Sequence, residues 1–200
     1  MIRLDWLRAL GAVLAAVLLI YAGLGLVGHL AQPLAAPLAL LSLDGDLLAS
    51  DAASRAAEVL HRPASDAKGR SEENKAAQDA LITALKISPI RPALWLALGA
   101  LKARSGEPAT PALKVSYLTG SVPVEVAFSR VQTVTSTSAA ADEEIRLFAT
   151  SDIRAALAKH TRFEAPLVAA YVQATPAGKS LLLEATQATD PAFNATLRRY

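Results

Sequence analysis

Apolar and small residues recur with helical spacing between residues 77 and 123, where prolines and a glycine interrupt them. Spacings of three and four residues place such positions on one face of a helix, and prolines mark where helices end or begin. Pro123 follows Pro89 by 34 residues, and Gly106 lies between them. The pattern therefore predicts short helices packed in pairs through small side chains. Its positions are Ala77, Leu81, Ala84, Pro89, Trp95, Leu98, Gly99, Gly106 and Pro123.

This arrangement resembles the tetratricopeptide repeat, in which two helices and a closing proline recur every 34 residues. The resemblance covers about one and a half repeats. It departs from the family at Lys102, where an aromatic residue is usual, and at Pro111, where a small residue would let the second helix pack. Beyond Pro123 the tryptophan and leucine places hold Ser129 and Gln132, so the motif fades. The resemblance implies an all-α stack of helical hairpins and implies no activity.

The pattern predicts two more helices on the N-terminal side of the repeat. Residues 44–46 are typical of a helix start, and we expect a helix from about Asp46 to His61 with one apolar face. Residues 62–70 contain a proline and a glycine and predict an exposed loop. Ser71 is followed by two glutamates, which predicts the cap and the acidic first turn of the helix that leads into the repeat.

On the C-terminal side of the repeat, prolines and capping residues again divide the chain into short helices. The valine-rich stretch 124–137 fits a helix or a strand, and we expect a helix there. Asp142 precedes two glutamates and predicts the start of an amphipathic helix with a restart near Ser151. The domain is thus predicted to be an all-α stack of about nine short helices. The last three should begin at prolines and cover about 166–174, 176–188 and 191–199.

Residues 9–28 form a stretch of twenty residues without a charged side chain. Such a helix spans roughly 30 Å, the thickness of a bilayer core, and exceeds the apolar region of about 7 to 15 residues in a cleaved signal peptide. We therefore expect an uncleaved transmembrane anchor. Arg3 and Arg8 flank its N-terminal side, whereas Asp44 and Asp46 are the first charges after it. The positive-inside rule then places the N-terminus in the cytoplasm and the domain in the periplasm of a bacterium.

The chain is thus predicted to have three parts: residues 1–30, a cytoplasmic stub with the anchor; residues 31–43, an apolar membrane-proximal segment; and residues 44–200, the helical domain. Segment 31–43 contains prolines that break the anchor helix, yet it stays uncharged and rich in leucine. A polar linker would look different, so we expect this segment to lie at the membrane surface or to be covered by the domain or a partner. His29 is expected at the membrane interface and not in a ligand site.

Composition narrows the classes of function. Hydrophobic residues make up 52% of the chain but aromatic residues only 5%, and small side chains favour closely packed helices over sheets. The formal net charge is +2, and without Arg3, Arg8 and Asp5 the remaining 18 basic and 17 acidic residues nearly cancel. A domain so nearly neutral lacks the field that nucleic-acid binding requires. Cysteine is absent, which excludes disulfides and thiolate chemistry.

The sequence contains none of the common catalytic or metal-binding motifs, such as a glycine-rich phosphate loop, a nucleophile elbow, a zinc-binding helix or an EF-hand loop. The histidines, His29, His61 and His160, are scattered. Glu164 follows His160 by four residues, but we expect a contact at a helix end and not a catalytic dyad. The adjacent residues 143–144 are expected to stabilise the helix dipole. We therefore predict no catalytic, metal or cofactor site.

Two segments, Ser88 to Leu98 and Leu113 to Gly120, resemble small membrane-anchored helical-repeat proteins that accompany bacterial exopolysaccharide synthesis and export. The resemblance implies an accessory, non-enzymatic role in an envelope assembly, with another envelope protein as partner. A few aromatic and aliphatic groups carry most of the energy at such contacts. Trp95 and Tyr117 are therefore the candidate contacts, although the repeat family also uses the position of Trp95 in its core.

Two alternatives remain open from the sequence. In the first, the domain is a periplasmic module that binds a glycan or a lipid. In the second, it is an enzyme whose catalytic residues come together only in three dimensions. His160 with Glu164 is the example that the sequence offers for such an enzyme. A deep pocket lined by His61 or His160 together with carboxylates would favour this alternative.

Overall fold

A computed structural model describes residues 45–61, 67–158 and 163–200, with the backbone alone for residues 67–70. Within these ranges the chain forms nine α-helices and one 3-10 helix, and no strand. The all-α prediction is therefore confirmed. The predicted anchor, segment 31–43 and two of the histidines, His29 and His160, lie outside the described residues. No helix in the described part of the chain is long and apolar enough to cross a membrane.

The helices follow one another with short connections. The N-terminal four are α1 (Gly45–His61), α2 (Ala67–Ile87), α3 (Pro92–Arg104) and α4 (Thr110–Leu118). The others are α5 (Val124–Thr135), the 3-10 helix (Ser138–Ala141), α6 (Glu143–Ala158), α7 (Glu164–Gln173), α8 (Pro176–Thr189) and α9 (Pro191–Leu197).

Local signals place the start of α8 and of α9 where the sequence predicts them. The Thr175 hydroxyl accepts a hydrogen bond from the Gly178 amide at 3.1 Å, and Asp190 Oδ1 accepts one from the Phe193 amide at 2.9 Å. Each cap satisfies an amide that has no partner inside the helix, and the proline that follows has no amide to satisfy. These boundaries are readable from sequence because cap and helix are neighbours in the chain.

The predicted start of α2 is wrong. We expected a loop over 62–70 and a cap at Ser71, but the helix already begins at Ala67, so Ser71 lies inside it and the first turn has no acidic residue. Ala, Lys and Arg are strong helix formers, and here they extend the helix backward through a single glycine.

Two other predicted starts on the C-terminal side are also wrong. α7 begins at Glu164 and not at Pro166, and α6 continues through Ser151 without a restart. Pro166 is the third residue of its helix, where the amide would lack a helical partner in any case, so the proline costs no hydrogen bond. A proline in the first turn therefore marks a helix start only to within a turn.

The N-terminal core joins α1, α2 and α3 with one face of α4, and small side chains bring these helices close together. Both Leu81 and Leu101 are fully buried here. Alanines pack around the leucines, so neighbouring helix backbones can approach closely without leaving cavities. The buried members include Leu48, Ala49, Ala52, Ala56, Ala77, Leu81, Ala84, Leu85, Leu94, Leu98, Leu101 and Ala112.

The C-terminal core joins α5 to α9 with the other face of α4 and with Leu96 of α3. Leu113 belongs to this core, whereas its neighbour Ala112 belongs to the N-terminal one. α4 therefore lies between the two cores and is packed on both sides. The larger buried members of the C-terminal core include Leu113, Phe128, Val131, Val134, Ile145, Ile153, Leu167, Leu182 and Leu197.

Candidate functional site

The repeat-motif residues occupy structural positions around the N-terminal core. Ala77, Leu81, Ala84 and Leu98 are buried there. These side chains hold α1 to α4 together. Their neighbours in the motif, Pro89 and Pro123, lie in the loops that precede α3 and α5.

Each of the two motif glycines is explained by a different structural requirement. An added Cβ at Gly99 would lie 3.0 Å from the Leu113 side chain, so α3 and α4 approach most closely at this point. Gly106 has φ of 75° in the turn between α3 and α4, a left-handed conformation that glycine adopts without strain. Both glycines shape the α3–α4 pair.

Trp95 is half-buried on the surface of the N-terminal core. Its indole Nε1 donates a hydrogen bond to the Pro89 carbonyl at 2.7 Å, which fixes the ring against the loop between α2 and α3. A shallow depression of about 140 Å³ lies beside it. Trp95 therefore serves the core and the surface together. The depression is lined by Ile82, Leu85, Lys86, Trp95 and Leu98.

Tyr117, the second predicted contact, packs against the C-terminal core and not beside Trp95. Its ring stacks on Phe148 of α6 with centroids 5.3 Å apart and planes inclined by 16°. Both rings are half-buried. Leu118 follows Tyr117 and is 65% exposed, while Leu147 precedes Phe148 and is 75% exposed. Two aromatic rings thus meet at the junction of α4 and α6, and each is next in sequence to an exposed leucine; we call these four residues the aromatic surface.

Arg130 lies beneath the aromatic surface and is only 3% exposed. Its guanidinium carbon lies 4.7 Å from the centre of the Tyr117 ring, a distance at which a cation is attracted to the ring face. Its Nη2 also donates to the Gly120 carbonyl at 3.3 Å, beyond the last residue of α4. A cation at the C-terminal end of a helix is stabilised by the helix dipole. Arg130 therefore joins α5 to the end of α4.

Asp152 of α6 completes this cluster. Its Oδ2 and the Tyr117 hydroxyl are both buried, and the two side chains lie close enough for each to affect the pKa of the other. Burial raises the pKa of Asp152 to about 6, although the nearby Arg130 acts in the opposite direction. Burial also raises the pKa of Tyr117 and lowers the pKa of Arg130. Tyr117 therefore stays neutral at physiological pH, and Asp152 titrates near pH 6.

The cluster has no nucleophile poised beside a base. Ser116, the nearest hydroxyl, donates its proton to the Pro92 carbonyl at 2.7 Å and accepts a hydrogen bond from Arg130 Nε at 3.0 Å. In the part of the chain that the structure describes, no three His, Asp or Glu side chains are close enough to hold a metal ion. The arrangement thus joins helices and shapes the aromatic surface above it.

The remaining sequence candidates are separate from this cluster. His61 is exposed at the end of α1. The pair Glu143 and Glu144 lies in the first turn of α6, as expected for dipole partners, and Glu144 also pairs with Lys114 of α4 at 3.0 Å. His160 lies outside the described residues, so its predicted contact with Glu164 stays a prediction.

An open cavity of about 470 Å³ lies between α7 and α9. Two carboxylates line it, those of Glu164 and Asp190, and so do the rings of Phe193 and Tyr200. Asp190 already accepts the Phe193 amide as a helix cap, which leaves its other oxygen for contact with a ligand. Among the described residues that line it, His61 is not present, and His160 lies outside the described residues.

Sequence reasoning missed Arg130 and Asp152. The signal for Arg130 was a charged residue on an apolar helical face, because Ala127, Val131 and Val134 lie on the same side of α5 and all are buried. A lone arginine in such a stripe predicts a buried cation with fixed partners. Asp152 carries no comparable signal, since half-exposed acids are common on amphipathic helices.

No known protein family, characterised protein or solved structure matches this chain.

Proposed function

We propose that this chain is a non-enzymatic, single-pass membrane protein whose tetratricopeptide-like helical domain lies in the periplasm and binds another envelope protein. The aromatic surface at α4 and α6 carries the proposal. Half-buried aromatic rings on a rigid base resemble the anchors that dominate protein interfaces. Large apolar side chains exposed beside them lose contact with water when a partner covers them.

The base of the surface supports this role. Arg130 holds the face of the Tyr117 ring, and Lys114 ties α4 to α6 through ion pairs with Asp142 and Glu144, both at 3.0 Å. Both aromatic rings are thus fixed before any partner arrives. A preorganised surface loses little conformational entropy on binding, so more of the contact energy appears as affinity.

The membrane topology and the repeat relationship are part of the same proposal. An uncharged stretch of bilayer length with arginines before it supports the anchor and its orientation. The packing of Gly99 against Leu113 and the left-handed Gly106 support a tetratricopeptide-like pair of α3 and α4. The resemblance of residues 88–98 and 113–120 supports an exopolysaccharide synthesis or export system as the assembly.

Affinity purification tests the partner. The tagged full-length chain should recover one stoichiometric protein from a detergent extract, and Leu147→Glu should abolish recovery because it places a charge in the contact. Phe148→Ala should weaken binding at least about tenfold. Val172→Glu is the matched control, since Val172 is 55% exposed on α7 and its variant should bind normally. Recovery of no stoichiometric partner, or equal loss in the control, would count against the proposal.

Reporter fusions test the topology. Alkaline phosphatase at the C-terminus should be active, and green fluorescent protein exported by the same route should stay dark. Replacing Arg3 and Arg8 with glutamate should weaken or invert this pattern, because the flanking charge sets the orientation. An inactive phosphatase with a fluorescent reporter would place the domain in the cytoplasm.

A glycan-binding module is the second candidate, and the cavity between α7 and α9 favours it. Carboxylates accept hydrogen bonds from sugar hydroxyls, and an exposed ring such as Tyr200 can stack on a sugar face. Titration calorimetry with neutral oligosaccharides should then detect binding that Glu164→Gln weakens. The absence of heat at millimolar oligosaccharide would remove this candidate.

A further inference from the structure

The loop between α2 and α3 exposes apolar side chains at one corner of the domain. Ile90 is 75% exposed in this loop, and Ile87, the last residue of α2, is 42% exposed. Pro89 and Pro92 lie on either side of Ile90 and restrict the backbone. The Trp95 indole also donates to the Pro89 carbonyl. Ile90 is therefore exposed on a loop whose backbone is restricted, and it does not lie in a groove.

The chain enters the described domain at the same corner. Gly45, the first residue of α1, packs closely on the end of α2: an added Cβ would lie 2.5 Å from Ser88 Oγ and 3.4 Å from Ile87 Cγ2. Arg91 also forms an ion pair with Asp46, the next residue of α1. The start of the domain is thus fastened beside the loop that carries Ile90.

The tether to the predicted anchor is short and leads to this corner. Segment 31–43 contains 13 residues, which even fully extended reach roughly 45 Å. The corner is therefore where the chain that comes from the predicted anchor enters the domain, within reach of the bilayer. The anchor comes from the sequence, whereas the position of Gly45 beside Ile87 comes from the structure.

The side chains of the corner match the interfacial layer of a bilayer. Isoleucines are stabilised at the boundary of the acyl chains, and an indole ring favours the level of the headgroups. Lys86 is exposed beside Trp95, and its ammonium group can contact lipid phosphates. Asp46 offsets the charge of Arg91, and Asp44, which precedes Gly45 in the sequence, offsets the formal charge of Lys86.

We propose that this corner, formed by Lys86, Ile87, Ile90 and Trp95, rests in the interface of the membrane that anchors the chain. Its partner is a phospholipid surface. The inference rests on the anchored topology of the proposed function and not on the aromatic surface, which lies on other helices. We call this contact with the lipid interface the membrane seat. It would fix the orientation of the domain, and with it the direction in which the aromatic surface faces.

Site-directed spin labelling of the full-length chain tests the membrane seat. Because the chain has no cysteine, Ile90→Cys and Leu147→Cys each provide one labelling site, and both positions are 75% exposed. The chain is reconstituted, one copy per nanodisc, in phosphatidylethanolamine with phosphatidylglycerol. Collisions of the spin label with oxygen indicate a lipid environment, and collisions with a water-soluble nickel complex indicate an aqueous environment. The label at residue 90 should collide with oxygen and be shielded from nickel several-fold more than the label at residue 147.

The other outcomes separate the two proposals. Equal nickel access at both positions would overturn the membrane seat, and shielding of residue 90 from both reagents would replace the lipid with a covering segment of protein. A label at Leu18→Cys checks the anchor. If Leu18 reports lipid while residue 90 reports water, only the membrane seat fails. If Leu18 reports water, the anchor of the proposed function fails and the seat fails with it.

Discussion

Arg130 and Ser116 form a buried double hydrogen bond between α5 and α4. Arg130 Nε donates to the Ser116 hydroxyl at 3.0 Å, and Nη2 donates to the Ser116 carbonyl at 2.5 Å. The hydroxyl in turn donates to the Pro92 carbonyl at 2.7 Å, so the connection reaches α3. Since α4 lies between the two cores, this polar chain joins the N-terminal helices to the C-terminal ones.

Replacing Arg130 with leucine should therefore destabilise the domain by about 3 kcal/mol. Leucine fills part of the space but removes three hydrogen bonds from a charged donor, those to the Ser116 hydroxyl, the Ser116 carbonyl and the Gly120 carbonyl. Urea unfolding of the full-length chain in detergent, followed by far-UV circular dichroism, measures the change. Arg154→Leu on the exposed side of α6 is the control and should shift stability by less than about 0.5 kcal/mol. Equal midpoints for the two variants would show that the buried hydrogen bonds contribute little.

Asp152 should make the domain less stable as the pH rises from about 4 to about 6. Its pKa is raised to about 6 in the folded chain by burial, against about 4 in an unfolded chain. Within this window the unfolded state releases the proton first, so ionisation favours unfolding; below it the carboxyl is protonated in both states, and above it the penalty is constant. Because the carboxyl is partly exposed, we expect a loss of only about 1 kcal/mol.

The Asp152→Asn variant isolates this effect. Lys114 lowers the pKa of Asp142, and Ser180 and Arg146 lower that of Glu184, so these groups add their own pH dependence at lower pH. Subtracting the stability of Asp152→Asn from that of the wild type at each pH removes their contributions. The difference should turn against the wild type between pH 4 and 6. A difference that is flat with pH would mean that Asp152 has an ordinary pKa.

Gly178 should tolerate no side chain. An added Cβ would lie 2.1 Å from the Thr135 carbonyl oxygen, which is held in place by hydrogen bonds from the Thr175 amide at 2.9 Å and the Thr175 hydroxyl at 3.1 Å. Gly178→Ala must push α8 away from the end of α5, and we expect a loss of about 3 kcal/mol or more.

Gly99→Ala provides a comparison with the steric overlap at Gly178. Its Cβ would meet the Leu113 side chain at 3.0 Å, and a leucine can move by a few tenths of an ångström. We expect a loss of about 1 kcal/mol, so the Gly178 variant should unfold at a clearly lower urea concentration. The reverse order would show that α8 can shift on α5 more easily than Leu113 can repack.

Asn194 should hold α9 on α8. It is 1% exposed, and its Nδ2 donates to the Leu183 carbonyl at 2.7 Å and to the Thr186 hydroxyl at 2.8 Å. Asn194→Ala removes both bonds, and we expect a loss of about 2 kcal/mol. Hydrogen exchange should show faster exchange confined to α9 and the end of α8. Thr196→Ala, on the exposed side of α9, should leave the exchange unchanged; similar changes in both variants would mean that α9 frays regardless of Asn194.

Much of the helical organisation was predictable because its causes are local. The caps at Thr175 and Asp190 act on amides three residues further along the chain, and Pro92 begins a helix where no amide partner is lost. The same holds for the turn at Gly106, whose positive φ depends on its own backbone. Interactions over so few residues leave a pattern that spacing and residue type reveal.

In the stretch 124–137, the propensities of the individual residues do not decide between helix and strand. Its valines and threonines favour a strand by propensity, yet α5 is a helix through Thr135. Val131 and Val134 are both fully buried, three residues apart on the face that meets the C-terminal core. Burial of these side chains outweighs a propensity difference of less than about 1 kcal/mol per residue.

The sequence by itself determined the helical class and most helix boundaries, because these depend on composition and on residues close in the chain; the anchor stays a prediction. Only the tertiary structure decided that Trp95 and Tyr117 lie on different cores, and that Tyr117 stacks on Phe148 above Arg130. Residues from three helices form that cluster, and their separation along the chain carries no periodic signal. A contact between distant residues depends on how whole helices pack, and packing is decided by the summed fit of both cores.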